Sequence, residues 1–317
     1  MKTLPVFGRG AQGAWYPMEQ NQNEHVKSGL VALVGPPNVG KSTLLNSLLG
    51  QKISIVSAKP QTTRNRILGI VNGPDYQMVL LDTPGLHQSR KPLNEEMVKV
   101  ALETLSEVDV ILFMIDATLP LPGRDQAPTR YLQGASRPAI LLVNKIDLQE
   151  REKILPLLAA YEQLYPFDAL IPISALTGDG LDRLLAEVLQ HLPTGPRLYP
   201  EDIPTDATER FIVGEIIREK IFLLTGQEIP YSTAVVVDSF REEADLVTIH
   251  ATIYIEKQSQ KGIVIGKQGR KLKEIGRQAR LEIEELLAQR VLLKLWVKLK
   301  KDWTKDSGFL RELGLRR

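Results

Sequence analysis

Short apolar runs and longer amphipathic stretches alternate between Gly29 and about Leu192. Five runs have strand length and are rich in Val, Ile and Leu: residues 29–35 (GLVALVG), 76–82 (YQMVLLD), 109–116 (DVILFMID), 138–144 (PAILLVN) and 169–174 (ALIPIS). Most are apolar throughout, as strands buried on both faces of a parallel sheet are. Between them, residues 41–49, 95–107, 124–133, 151–164 and 181–191 carry helical spacing. This alternation predicts an α/β domain with a mostly parallel sheet and helices on both faces. One more run, Arg66–Gly73, enters residues 76–82 through Gly73-Pro74-Asp75, which predicts an antiparallel hairpin at the sheet edge.

The pattern stops between Pro193 and Pro204, where Pro193, Pro196, Pro200, Pro204 and Gly195 interrupt helix and strand alike. A stiff linker over residues 193–207 is expected there, between a front domain at 27–192 and a second domain at 208–317. The second half orders its elements differently. A helix near 208–224 precedes strands near 232–241 and 246–256, a glycine-punctuated segment at 261–269, a helix at 270–290 and a strand at 291–300. Residues 1–26 lack a sustained apolar stretch and read as a flexible extension, not a secretory signal. No run approaches the ~20 apolar residues of a membrane helix.

With 43% hydrophobic and 25% charged residues the chain is globular in composition. The absence of cysteine excludes disulfide scaffolds, thiol nucleophiles and cysteine-based zinc sites. The four histidines, His25, His87, His191 and His250, are too dispersed to suggest a metal centre. A net charge of +2 conceals an asymmetry: residues 257–317 hold 17 Lys/Arg against 7 Asp/Glu, a surplus of ten, which leaves the preceding 256 residues eight negative. A basic tail behind an acidic front suggests a polyanionic partner for the second domain.

Residues 35–42 read GPPNVGKS between a predicted strand and a predicted helix. This is the G-x-x-x-x-G-K-[ST] phosphate loop in its required context. Gly35, Pro36, Pro37, Asn38, Val39 and Gly40 would wrap a phosphate chain, with the N–H groups of the non-proline residues donating to its oxygens, and Lys41 would add a point charge. The Ser42 hydroxyl would ligate Mg²⁺, and Thr43 follows it on the helix. Asp82, Thr83, Pro84, Gly85 and Leu86 follow the strand 76–82, where the Asp82 carboxylate can reach the magnesium shell and the Gly85 amide a γ-phosphate. Asn144, Lys145, Asp147 and Leu148 follow the strand 138–144. The Asp147 carboxylate would accept from both N1–H and N2–H₂ of guanine, a donor pair that adenine lacks. Lys145 would lie along the base and Asn144 would brace the loop. Ser174, Ala175 and Leu176 end the next strand, where a backbone amide could bind the guanine O6.

These segments, in this order at strand ends, resemble the translation-factor-like P-loop GTPases over about residues 27–192. The resemblance implies GTP/GDP as the ligand and a switch threonine, Thr63 or alternatively Thr62, that joins Ser42 and Asp82 around Mg²⁺. It gives Lys41, Thr63, Asp82 and Gly85 the catalytic roles. Leu86 stands where the best-known small GTPases carry a water-orienting glutamine, so slow intrinsic hydrolysis is expected. Members with an asparagine at the position of Asn38 can use K⁺ near the phosphates.

In the second half, Gly262, Ile263, Val264, Ile265, Gly266, Lys267, Gln268 and Gly269 lead into a helix opened by Arg270, Lys271 and Lys273. A G-x-x-G turn with a lysine inside lets loop and sugar-phosphate backbones approach closely. Read as strand–loop–helix, the segment resembles the type II KH RNA-binding fold, an α+β domain that clamps about four single-stranded nucleotides. Ile263, Val264 and Ile265 are candidates for an apolar floor beneath the bases, with core packing expected of at least one. Trp296 and Trp303 lie among Lys294, Lys298, Lys300, Lys301 and Lys305, where aromatics could stack on bases. The alternation of LLKLWVKLK suggests a half-buried strand with Trp296 in the core and Trp303 more open. The two units together resemble the bacterial ribosome-assembly GTPases. That resemblance implies a cytoplasmic monomer that binds the 3′ end of 16S rRNA on the 30S subunit and no DNA, with a peripheral association with the inner membrane face.

Overall fold

The computed structural model describes residues 7–9, 15–17, 25–57, 63–86, 92–120, 128–226, 229 and 232–313. In the front domain the elements are β1 (Val26–Val34), α1 (Lys41–Leu49), β2 (Ile67–Gly73), β3 (Tyr76–Asp82), α2 (Pro92–Glu107), β4 (Val110–Asp116), β5 (Ala139–Asn144), α3 (Arg151–Glu162), β6 (Ala169–Pro172) and α4 (Leu181–His191). The strands lie in the order β2-β3-β1-β4-β5-β6. Neighbours in this order are parallel except β2, which pairs antiparallel with β3 at the sheet edge, and the short strand Thr194–Gly195 pairs antiparallel with the start of β1. Every residue of β5 is buried, as its unbroken apolar run requires. On one face Leu44 and Leu45 of α1 pack with Leu184 and Val188 of α4; on the other, Ala101 and Leu105 of α2 pack with Leu157 and Tyr161 of α3. This three-layer arrangement sets the ends of β1, β3 and β5, and the loops after them, side by side at one rim.

Two elements depart from the sequence pattern. The helix expected at 124–133 is, within the described residues, a single 3-10 turn at Pro128–Leu132. Helix α2 begins at Pro92, earlier than its apolar periodicity, because a first-turn proline carries no N–H to lose.

The proline-rich segment is fastened along the β2–β3 hairpin. Arg197 donates to the carbonyls of Gly73, Pro74 and Tyr76, capping the turn. The fully buried Gln77 side chain accepts from the N–H groups of Leu198 and Tyr199 and donates to the Tyr199 carbonyl. Ile70 N–H donates to the Pro204 carbonyl, and the Thr205 hydroxyl to that of Leu68. Hydrogen bonding to the sheet, as well as proline stiffness, fixes its course.

The second domain contains α5 (Glu209–Leu224), β7 (Thr233–Glu243), β8 (Leu246–Ile255), α6 (Gln258–Ile265), α7 (Arg270–Leu287), β9 (Val291–Leu299) and α8 (Ser307–Glu312). Helix α5 is capped by the Thr208 hydroxyl, which accepts from the Phe211 N–H. The sheet runs β7-β8-β9, antiparallel then parallel. Ile212, Ile216 and Ile217 of α5 and Ile275, Ala279 and Ile283 of α7 cover one face of it. The apolar stretch before the G-x-x-G turn is the helix α6, not a strand. The Gln260 side chain starts it by accepting from the Glu256 and Lys257 N–H groups, and burial of Val264 outweighs the weak helix propensity of its β-branched residues. Among the described residues no helix is long and apolar enough to cross a membrane.

Candidate nucleotide site and nucleic-acid interface

The phosphate loop turns through two glycines in conformations closed to other residues. Gly35 has φ +147° and Gly40 φ +103°. A Cβ on Gly35 would sit 2.2 Å from the Met114 carbonyl oxygen, and one on Gly40 2.3 Å from Asn144 Nδ2. Lys41 opens α1, is 6% exposed, and donates to the carbonyls of Gly35 and Pro36 at 3.1 and 2.9 Å. Burial lowers its pKa to about 8, against the opposing pull of Asp82. Desolvation thus outweighs the Asp82 charge at this ammonium, which favours a polyanion beside it.

Asp82 is fully buried at the end of β3. Its Oδ2 accepts from Ser42 Oγ at 2.7 Å, Ser54 Oγ at 2.9 Å and Thr63 Oγ1 at 3.2 Å, and Ser42 and Thr63 lie 2.8 Å apart. Its Oδ1 is buried with no hydrogen-bond partner among the described residues. Desolvation raises the Asp82 pKa, opposed by Lys41 and the three hydroxyls. Two hydroxyls and a carboxylate with an unused oxygen form a hard oxygen set that fits Mg²⁺. Thr62, the alternative ligand, lies outside the described residues. Ser54 was not singled out from the sequence. Asn46 of α1 holds it in place, accepting from the N–H groups of Ile53 and Ser54 and donating to the Ser54 carbonyl.

A cavity of about 540 Å³ joins Pro37, Asn38 and Lys41 to Thr63, Gly85 and, at the other end, Asp116 and Lys145. Asn144 ties the loops of the site together, donating to the Val39 carbonyl at 2.7 Å and accepting from the Ala175 N–H at 2.9 Å. Lys145, at φ +68°, points its ammonium to Asp116 at 2.5 Å. Burial raises the Asp116 pKa, but hydrogen bonds from Lys145 and Thr118 outweigh it and the net shift is downward. Asp116 was missed because a single acid after a strand has no signature. Asp147 is exposed, and its carboxylate accepts from Ser174 Oγ at 2.6 Å. Leu119, Leu148 and Leu176 are 56%, 68% and 78% exposed, apolar surface suited to the faces of a planar base. Val39, Thr83, Ala175 and Leu86 are buried. Thr83 Oγ1 donates to the Leu33 carbonyl, and the Leu86 side chain belongs to the core.

The segments flanking the switch threonine are anchored on the second domain. Lys52 bridges Glu219 of α5 and Glu282 of α7, each at 2.6 Å, and Val56 N–H donates to Glu219. Lys220 pairs with the same two carboxylates. Burial raises the Glu219 pKa, but hydrogen bonds from Lys52, Val56 and Lys220 bring the net shift down. Arg64, next to Thr63, is 7% exposed; its guanidinium donates to the Thr233 carbonyl at 2.8 Å and lies 5.7 Å from the Trp303 ring. Desolvation and the Arg218 charge lower its pKa to about 9, with Glu215 and Glu256 opposing. Asn65 donates to the Leu313 carbonyl.

At the second motif, Gly266 (φ +72°), Gln268 (φ +53°) and Gly269 (φ +75°) make the turn between α6 and α7. Lys267, Arg270 and Lys271 line a cleft with Gly266, Leu224 and Glu274. Of the expected floor, Val264 is core and Ile263 is 45% exposed. The two tryptophans exchange their expected places. Trp303 is fully buried and donates to the Ser232 carbonyl, whereas Trp296 is 44% exposed. Trp296 shares its strand parity with Lys294 and Lys298, so it faces the lysine side.

Residues 30–145 match the 50S ribosome-binding GTPase family and residues 228–304 the KH domain family. The chain is 54% identical to GTPase Era of Geobacter metallireducens over 290 residues, 91% of this chain and 97% of the relative. It is 51% identical to GTPase Era of Syntrophus aciditrophicus, again over 91% of this chain and 95% of that one. A variant of Aquifex aeolicus Era bound to GDP·AlF4⁻ superimposes with a TM-score of 0.88 at 41% identity, covering 92% of this chain and all of the other. Era in complex with MgGDPNP and nucleotides 1506–1542 of 16S ribosomal RNA does so with the same TM-score at 42% identity and the same coverage. The front domain with its phosphate loop, the KH domain behind it and this similarity over 91% of the chain have one explanation: the chain belongs to the Era family of GTPases.

Proposed function

We propose that this chain is a GTP-driven switch that binds single-stranded RNA, the 3′ end of 16S rRNA, during assembly of the 30S subunit in the cytoplasm. The observation that carries the switch is the meeting of Ser42, Thr63 and Asp82 around the unused Asp82 Oδ1. Mg²⁺ bound there would neutralise charge developing on the β and γ phosphates. Lys41 and the N–H groups of residues 38–42 would hold those phosphates, and the Gly85 amide would meet the γ oxygens. Asp147, positioned by Ser174, would accept the two guanine N–H donors, with Lys145 along the base. Leu86 is buried in the core and offers no group to orient the attacking water, so turnover rests on charge stabilisation and is slow. Asn38, exposed and lining the cavity at φ +63°, would help hold a K⁺ ion near the phosphates; faster hydrolysis in K⁺ than in Na⁺ is the expected result. A peripheral contact with the inner membrane face rests on the family resemblance alone.

The G-x-x-G turn at residues 266–269, with Lys267, Arg270, Lys271 and Lys273, would receive the RNA backbone. Coupling between the halves is supported by the anchoring of Lys52, Val56, Arg64 and Asn65 on the second domain. Because Thr63 can reach the metal only by fixing this segment, GTP is expected to raise RNA affinity over GDP by about 1–3 kcal/mol. Titrating GTP, ATP and xanthosine triphosphate against the protein and its Asp147→Asn variant tests the nucleotide assignment. The variant should lose about 2–3 kcal/mol of GTP binding and gain xanthosine triphosphate. Unchanged preference for guanine would refute the assignment.

A further inference from the structure

The sheet of the KH domain has two unlike faces. One carries Val235, Val237, Ile249, Ala251, Ile253, Leu293, Leu295 and Val297 beneath α5 and α7. The other is covered at one end, where Ala234, Val236 and Tyr254 meet Trp303, Phe309, Leu310 and Met97. Beyond that end its surface is set by the pairs Thr248 with Leu292, His250 with Lys294, Thr252 with Trp296 and Tyr254 with Lys298. Trp296 is at its centre, 44% exposed, with its ring 5.2 Å from that of His250 in an edge-to-face contact. Lys294 and Lys298 flank it along β9 and are exposed, and Arg241 is exposed across the sheet opposite Thr248. Of the acids on this surface, Asp238 is engaged by the Thr252 hydroxyl, and Glu243 lies at its far end, opposite Leu246. His250 Nε2 is buried beside the indole without a hydrogen-bond partner among the described residues.

An exposed indole flanked by cations on the uncovered part of this sheet face is chemistry suited to stacking a base and holding its neighbouring phosphates. We propose that this face is a second contact for single-stranded RNA, on the opposite side of the sheet from the 266–269 turn. A base stacks on Trp296, and Lys294, Lys298 and Arg241 hold the flanking phosphates. The excess of cations favours a polyanion over a neutral protein partner. Because β9 is an edge strand, an RNA longer than the ~4 nucleotides clamped at the turn can pass round it to this face. The proposal rests on the RNA-binding reading above.

The test uses the full chain with GTP and two RNAs. One is nucleotides 1506–1542 of 16S rRNA; the other is an oligonucleotide of about 5 residues, little longer than the turn holds. Trp296→Ala should weaken the long RNA about tenfold and leave the short one unchanged, while Trp296→Phe keeps most of the affinity. Lys294→Gln with Lys298→Gln should lower the salt slope for the long RNA by about 1.4. Gly269→Asp should weaken both RNAs; if it weakens neither, the turn is not the clamp, yet a Trp296 effect on the long RNA would still support this face. An unchanged melting temperature for Trp296→Phe, together with 4-thiouridine cross-links to the peptide bearing Trp296, separates contact from folding. Long-RNA binding that is indifferent to Trp296→Ala overturns the proposal. It is equally overturned if that variant weakens binding only to intact 30S subunits, since the face would then dock protein.

Discussion

The chain carries two glycine turns that each offer a lysine to phosphate, at residues 35–41 and 266–269, and they are built in opposite ways. The first is walled in: any side chain on Gly35 or Gly40 would collide with β4 or Asn144, and Lys41 is buried with a pKa of about 8. The second is open on its outer side: a Cβ on Gly269 meets nothing within 4 Å and Lys267 is exposed, although one on Gly266 would lie 2.7 Å from the Lys271 Cβ. An enclosed turn suits a small polyanion whose every oxygen must be met. An open one suits a polymer that passes through and must also leave. The same residue types thus give tight, weakly screened binding in one place and salt-sensitive binding in the other.

The largest expected effect tests enclosure. Lys41→Ala removes a buried cation from a phosphate cluster and should cost about 3–5 kcal/mol of GTP binding. The wild-type pH profile sharpens the point. Phosphates beside Lys41 must raise its pKa above the value of about 8 it has in the protein alone. Binding then takes up a proton once pH exceeds about 8, so GTP affinity should fall as pH rises through that value, by up to tenfold per unit. Calorimetry in buffers of differing ionisation enthalpy would detect the proton uptake. A flat profile would mean that the ammonium is already stabilised elsewhere.

Next in size is the link between the two turns. Arg64→Ala removes a guanidinium wedged under the second domain one residue from Thr63. RNA affinities measured with GDP and with a non-hydrolysable GTP analogue should converge, erasing the expected coupling of about 1–3 kcal/mol. Glu219→Gln, which weakens the Lys52 and Val56 anchors, should do so in part. A coupling that survives both changes would place the communication outside this segment.

The nucleotide site was far more legible in the sequence than the RNA side, for a physical reason. Buried strands declare themselves as apolar runs, and the loops at their ends must use fixed residues at fixed spacing, so Lys41, Ser42, Asp82, Asn144 and Asp147 could be picked out. Ser54 and Asp116 could not, because one hydroxyl or carboxylate acquires meaning only through the neighbours that the fold supplies. In the second domain, isoleucine and valine between glycines read as a strand, yet α6 is a helix because capping and Val264 burial decide a short segment. For Trp296 the apolar–basic alternation of a half-buried strand suggests the core, yet its parity is that of the lysines. Counting from Lys294 and Lys298 would have placed it in solvent.

The smallest effect distinguishes the two turns most cleanly. Gly269 has φ +75°, so Gly269→Ala carries the strain of a left-handed residue, about 1–2 kcal/mol of stability, but no collision. RNA binding should therefore survive it nearly intact. Gly269→Asp keeps a side chain that tolerates this conformation and adds a negative charge where phosphate approaches, so RNA affinity should drop about tenfold, most at low salt. Gly266→Ala should behave differently again, since its Cβ would lie 2.7 Å from that of Lys271 and must displace the start of α7. The measurement is RNA affinity against salt concentration for the three variants, with GTP affinity as control. Equal losses for Gly269→Ala and Gly269→Asp would show that the turn is as tightly enclosed as the phosphate loop, and the contrast between an open and a walled turn would fail.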